Sequence, residues 1–89
     1  MARGDEREIF ELEQDKFEEK FPHWFKEHRK EYGSLSKWAN KLGTTIQSVA
    51  NWSKPKERGG NIPQGYNMAR ILSLLHASYD DVIRWDGTS

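Results

Sequence analysis

The fold of this chain is decided by one stretch near its middle, SLSKWANKLGTTIQSVANW, residues 34–52. In its first half, apolar residues recur at three- and four-residue steps, which is typical of one face of a helix over Leu35–Leu42. Ser34 is a favourable N-cap for this helix, and Gly43 is a stop signal. Because Thr45 suits the N-cap of a second short helix, the stretch predicts two helices joined by a tight turn.

The second helix of this stretch is predicted over 46–52, with one apolar side and one polar side. We expect Ile46, Val49 and Trp52 to face inward, because they recur at steps of three residues. The remaining side carries three polar residues: Gln47, Ser48 and Asn51. Val49 and Trp52 would then fix the angle at which the two helices cross.

The segment before the stretch predicts two further helices. Residues 5–20 contain neither Gly nor Pro and are rich in Glu. Three phenylalanines share one stripe of this segment: Phe10, Phe17 and Phe21. Pro22 disfavours the helical conformation of the residue before it and suits a first helical turn, so we expect a kink or a new helix there. That second helix should run to about Tyr32.

The segment after the stretch predicts a loop and two more helices. Residues 53–61 hold two glycines, a proline and four charges, which is typical of a loop. Apolar residues repeat helically over Gln64–Leu75, and Ser78 with Asp81 resembles a capping box before a last short helix. Since no segment alternates with the period of a strand, we expect an all-α protein.

Charge is segregated along the chain, although the net charge is zero. Residues 1–21 carry four basic and eight acidic groups, a net charge of −4. Residues 22–62 carry eight basic and three acidic groups, a net charge of +5, and residues 63–89 contribute −1. The middle block is therefore the candidate anion-binding surface.

Length and composition favour a small ordered domain and exclude several classes of protein. Eighty-nine residues suit one small domain, and four Trp, four Phe and three Tyr predict an ordered aromatic core. The lack of cysteine excludes disulfides, thiolate zinc sites and a cysteine nucleophile. Apolar runs are too short for a membrane span or a signal peptide, so we expect a cytoplasmic protein. The three histidines lack metal-ligand spacing and no catalytic motif occurs, so we expect no enzymatic activity, metal or cofactor.

Residues 34–52 resemble the helix-turn-helix of the lambda-repressor and Cro-like family of transcriptional regulators. Ala39 allows close approach where the two helices cross, and Gly43 suits the turn between them. The similarity continues over 63–83, which looks like the fourth and fifth helices of that family. The resemblance implies a five-helix lambda-repressor-like domain over 22–89, preceded by an acidic amphipathic helical arm over 1–21.

In that family the second helix of the motif enters the major groove of DNA, with its first residues reaching the base edges. The resemblance therefore assigns base readout to four side chains: Thr45, Gln47, Ser48 and Asn51. Gln and Asn can form paired hydrogen bonds with the edge of adenine. For Ile46 we expect inward packing, with contact to a thymine methyl group as the alternative.

Two further sets of residues follow from the resemblance. Phosphate contacts fall to the start of the first motif helix and to the loop after the second: Ser34, Ser36, Lys54, Lys56 and Arg58. Family members bind DNA as two-fold dimers, often through the last helix. The dimer interface here would involve Val82, Ile83 and Trp85, with Trp85 folded back under its own domain as the alternative.

These expectations describe a sequence-specific regulator, a repressor, that occupies a double-stranded DNA operator as a homodimer and joins the nucleoid when bound. The alternative is a protein-interaction module that keeps the fold and acts through its acidic arm. For the arm itself three roles stay open: packing on its own domain, pairing with a second copy, or docking into a groove of a protein partner. The arm could also shield the basic surface by mimicking phosphate.

Overall fold

The computed structural model describes the backbone of residues 2–87 and the side chains of residues 14–87. These residues form five α-helices and no strand, which confirms the predicted all-α class. The helices are α1 (Ala2–His28), α2 (Leu35–Leu42), α3 (Ile46–Asn51), α4 (Gly65–Leu74) and α5 (Tyr79–Arg84). Single 3₁₀ turns follow α1 at Arg29–Glu31 and interrupt the long loop at Lys56–Arg58.

The alternative of a new helix at Pro22 is wrong, because α1 runs through this residue as one helix. Pro22 has no N–H to donate to the carbonyl of the preceding turn, which costs about 3 kcal/mol. Against this cost, Phe17, Phe21 and Phe25 lie at four-residue steps and are all fully buried. Each buried ring contributes about 1.5–3 kcal/mol, so together they outweigh the proline. Phe10, the first member of the predicted stripe, lies outside the described side chains.

Helix α2 begins and ends where its local signals predict, and α3 begins at the predicted residue but ends at Asn51, one residue before the predicted end. The Ser34 hydroxyl accepts a hydrogen bond from the N–H of Lys37 at 3.2 Å, and the Thr45 hydroxyl accepts one from the N–H of Ser48 at 3.1 Å. Gly43 ends α2 with φ of +67°. A side chain there would meet no atom within 4 Å, so glycine is favoured by backbone conformation alone.

The core joins α1 to the motif through aromatic rings. Trp38 of α2 is completely buried, with its ring edge-on to Phe25 at 5.3 Å between centroids. Its indole N–H donates to the backbone carbonyl of Arg29 at 2.9 Å, so the one polar atom of the ring is satisfied. Val49 of α3 and Trp52, which directly follows that helix, are also buried, as predicted.

Ile46 does not pack inward, and that expectation is wrong: its side chain is 51% exposed. Each residue advances about 100° around a helix, so positions 46 and 52 lie about 120° apart. Val49 lies between them and is fully buried, whereas Ile46 stands at the first position of α3. The buried stripe of α3 follows Val49 and Trp52, and Ile46 is left at its edge.

Helix α5 packs against α1. Its capping box is present, since the Ser78 hydroxyl accepts from the N–H of Asp81 and the Asp81 carboxylate accepts from the N–H of Ser78. The Tyr79 ring stacks on Phe17 at 3.8 Å, and its hydroxyl donates to Gln14 Oε1 at 2.6 Å. Burial raises the pKa of Tyr79 above its usual value of 10.0, although the hydrogen bond to Gln14 acts in the opposite direction.

The C-terminal end of α5 is held to α1 by a lysine. Lys20 Nζ donates to the backbone carbonyls of Ile83 and Trp85, both at 2.8 Å. Val82 is fully buried in the chain's own core. The assignment of Val82 to a dimer interface is therefore corrected, because it has no surface to offer a second chain.

The first testable consequence concerns Phe17. Replacing Phe17 by Ala should lower the free energy of unfolding by about 3–5 kcal/mol, because it removes a buried ring that also supports Tyr79. Urea unfolding followed by tryptophan fluorescence measures the change. The exposed neighbour provides the control: Lys16→Ala should change the value by about 0.5 kcal/mol or less. A loss below about 1 kcal/mol for Phe17→Ala would contradict the packing of α1 on α5.

Candidate nucleic-acid interface

The accessible side of α3 carries two pairs of hydrogen-bonded polar residues. Gln47 is exposed and Asn51 is half-buried, and Gln47 Nε2 donates to Asn51 Oδ1 at 3.1 Å. At the start of the helix, the Thr45 and Ser48 hydroxyl oxygens are 3.0 Å apart. The structure thus joins the four residues assigned to base readout in two pairs, Thr45 with Ser48 and Gln47 with Asn51.

The amide pair keeps both donors and acceptors for a ligand. After the bond between them, Gln47 retains its carbonyl oxygen and one N–H, and Asn51 retains both N–H groups. An acceptor and a donor side by side match the N6 amino group and the N7 atom at the edge of adenine. The internal bond also limits the rotamers of the two long side chains, which reduces the entropy lost on binding.

The start of α2 presents exposed hydroxyl groups at Ser34 and Ser36. The Ser34 oxygen already accepts the capping bond, so its O–H remains as a donor. The first amides of a helix lack partners within the helix and favour anions. Lys37 adds positive charge nearby, although its ammonium group donates to the Tyr32 carbonyl at 3.2 Å.

The loop after α3 is fixed to the end of that helix. The Asn51 carbonyl accepts from the N–H of Lys54 at 3.1 Å and from the N–H of Asn61 at 3.3 Å. Gly60 passes so close to this turn that an added Cβ would lie 1.9 Å from the carbonyl oxygen of Lys54. The predicted loop therefore has a defined path, and it includes the 3₁₀ turn at Lys56–Arg58.

The three basic side chains of this loop have different surroundings. Lys54, Lys56 and Arg58 are all exposed. Lys56 Nζ, however, lies 3.9 Å from Glu18 Oε1 on α1. The groove beside it, with a volume of about 330 Å³, is lined by further carboxylates: Asp15, Glu19 and Glu57. A phosphate that approached Lys56 would meet these negative charges, so Lys56 is the least suitable of the three for that contact.

Arg29 is a residue of this surface that the sequence did not assign. It follows α1, and its guanidinium group donates a hydrogen bond to the Ser53 hydroxyl just beyond α3. The backbone carbonyl of Arg29 is also the acceptor for Trp38. In the sequence, only its place in the basic block of residues 22–62 pointed to Arg29. Its contact with Ser53 joins residues 24 positions apart and has no local pattern.

The two remaining residues of the expected dimer face are half-buried. Ile83 and Trp85 pack against the edge of the core, and the Trp85 ring lies edge-on to His28 at 6.0 Å. Each therefore has part of its surface in contact with solvent. For Ile83 and Trp85, contact with a second chain stays a prediction.

Comparison with protein-family models, curated proteins and solved structures finds no match to this chain. Within residues 14–87, no three His, Asp or Glu side chains are grouped so that they could hold a metal ion. No helix in the described part of the chain has the length and apolar character needed to cross a membrane. The functional interpretation therefore depends on the geometry of α2, α3 and the loop after them.

The Arg29–Ser53 contact can be tested by a double-mutant cycle. Arg29→Ala and Ser53→Ala, alone and combined, should show a coupling of about 0.5–3 kcal/mol in the free energy of unfolding, since the contact holds the end of α3 against α1. Urea unfolding gives the four values. Lys30→Ala, at the exposed next position, should couple to Ser53→Ala by no more than measurement error. Additive effects of the Arg29 and Ser53 changes would show that the contact does not hold α3.

Proposed function

We propose that this protein is a sequence-specific double-stranded DNA-binding regulator of the lambda-repressor-like class that represses transcription by occupying an operator. The observation that carries the proposal is the amide pair of Gln47 and Asn51 on the accessible side of α3. This helix is capped by Thr45 and fixed to the core through Val49 and Trp52, so its polar side is presented on a rigid element.

In the proposed complex, α3 lies in the major groove, whose width admits one α-helix. The amide pair reads adenine through its free acceptor and donors, and Thr45 and Ser48 contact neighbouring base edges. A well-aligned pair of hydrogen bonds of this kind discriminates between bases by about 1–3 kcal/mol. Sequence preference thus comes from the first two turns of one short helix.

Phosphate contacts would set the orientation of α3 without reading sequence. The exposed hydroxyls of Ser34 and Ser36 lie at the start of α2, while Lys54 and Arg58 are exposed beyond the end of α3. Arg29 adds a further positive charge next to Ser53. The proposed contacts therefore flank the reading helix on both sides.

A homodimer would bring two reading helices to half-sites about one helical turn, about 34 Å, apart. Ile83 and Trp85 are the residues available for such an interface. Binding as a dimer increases the specificity that one small module can reach. Its place of action would be the cytoplasmic nucleoid.

The acidic part of α1 has two roles in this proposal. Phe17 and Phe21 pack on the chain's own core, so this part of the helix contributes to folding. Its carboxylates lie beside the basic loop, where Glu18 contacts Lys56. They weaken DNA binding by repelling phosphate and by engaging one lysine. The exposed carboxylates also support the second candidate, a protein-interaction module that acts through residues 1–21.

The amide pair gives the direct test of the proposal. The combined variant Gln47→Ala/Asn51→Ala should reduce the ratio of specific to non-specific affinity by about 5- to 150-fold, because two base contacts are lost. Fluorescence anisotropy with a duplex selected from a random pool measures both affinities. Gln64→Ala, an exposed amide outside α3, serves as the control. Unchanged sequence preference in the combined variant, with native circular dichroism, would refute the proposal and favour the protein-interaction module.

The acidic helix gives a second test. Glu18→Gln should tighten DNA binding by about 1.5- to 5-fold at low salt, since it removes one repulsive charge and releases Lys56. The gain should shrink as salt is added, because screening weakens the repulsion. Asp80→Asn makes the same change in net charge on α5 and is the matched control. An equal gain in both variants would show that only net charge matters, and no gain would show that Glu18 does not oppose binding.

A further inference from the structure

Ile46 is an exposed aliphatic side chain at the first position of α3. Three large hydrophobic side chains are exposed among the described residues: Ile46, Tyr66 and Tyr79. The two tyrosines each carry a hydroxyl group and take part in a ring contact, Tyr79 with Phe17 and Tyr66 with Arg70. A single exposed aliphatic residue is common on proteins, so the exposure of Ile46 is informative only because of where this residue lies on α3.

That position is next to the amide pair. Residues four apart share one side of a helix, so Ile46 and Ala50 form a column beside the column of Gln47 and Asn51. Successive residues are separated by about 100°, which makes the two columns neighbours on the surface. Helix α3 therefore presents an apolar strip beside a hydrogen-bonding strip, and Ile46 is the member of the apolar strip that is most exposed.

We infer that Ile46 reads the C5-methyl group of a pyrimidine, so that each half-site contains a thymine next to the base pair read by Gln47 and Asn51. The inference rests on the proposed DNA binding and specifies the ligand: duplex DNA with a methyl group at one position in the major groove. Among the four bases, only thymine carries this methyl group. The polar edge of guanine or an unmethylated cytosine would lose hydrogen bonds to water against Ile46 without replacement.

The expected size of the effect follows from the area of one methyl group. Covering it should strengthen binding about fourfold per half-site, which corresponds to about 0.8 kcal/mol. Replacing thymine by deoxyuridine removes only the methyl group and leaves Watson–Crick pairing intact. Introducing 5-methylcytosine at a cytosine restores the methyl group without the thymine carbonyl. These substitutions separate methyl recognition from hydrogen-bond readout.

The experiment measures the affinity of wild-type protein, Ile46→Val and Ile46→Ala for one duplex selected from a random pool. Each thymine of the duplex is replaced in turn by deoxyuridine. For wild-type protein, one position in each half-site should lose about fourfold in affinity. The same replacement of thymine by deoxyuridine should leave the affinity of Ile46→Ala almost unchanged. For Ile46→Val it should cause most of the loss of affinity seen with the wild-type protein. The wild-type protein should bind a duplex with 5-methylcytosine at that position more tightly than a duplex with cytosine there.

The outcomes separate the inference from the function on which it rests. A selected duplex in which no thymine methyl matters, or equal losses in wild-type protein and Ile46→Ala, would overturn the inference and leave sequence-specific DNA binding in place. Failure of the wild-type protein to select any duplex would overturn the proposed function and the inference together. In that case Ile46 would be free to serve a protein contact, which a search for partners that lose affinity with Ile46→Ala would detect.

Discussion

The buried indole of Trp38 is the interaction on which the rest of the structure depends. Its ring fills the junction between α1 and the motif, and its N–H donates to the carbonyl of Arg29 at 2.9 Å. The side chain of the same Arg29 reaches Ser53 at the end of α3. Arg29 thus connects the core to the end of α3. A six-residue helix, too short to be stable alone, gains a fixed orientation in this way.

Charge placement bears on how a chain of zero net charge would bind a polyanion such as DNA, as proposed. The acidic and basic blocks are separate along the sequence, and in the fold they meet at Glu18 and Lys56. Long-range attraction to DNA is therefore small, and the proposed function relies on short-range contacts at α3 and α2. Attraction to phosphate supplies most of the affinity of non-specific binding. A protein with little long-range attraction to DNA would therefore bind non-specific sites weakly and would gain in selectivity.

Features set by local chemistry were predictable from the sequence, and those set by distant contacts were not. The caps Ser34, Thr45 and Ser78 act within three residues, so the bounds of α2 and the starts of α3 and α5 followed from them. The new helix expected at Pro22 did not form, because the local penalty of proline was outweighed by burial against elements far along the chain. The contact of Arg29 with the end of α3 has no local pattern that would have revealed it.

The most direct measurement follows the side-chain amide signals of ¹⁵N-labelled protein by NMR during titration with a selected DNA duplex. If α3 meets the bases, the signals of Gln47 and Asn51 should shift together and saturate at a stoichiometric ratio of protein to DNA. Those of Gln14 on α1 and Gln64 before α4 should stay in place. Saturable shifts at Gln14 with none at Gln47 or Asn51, or no shift at any amide, would contradict the claim that α3 meets the bases.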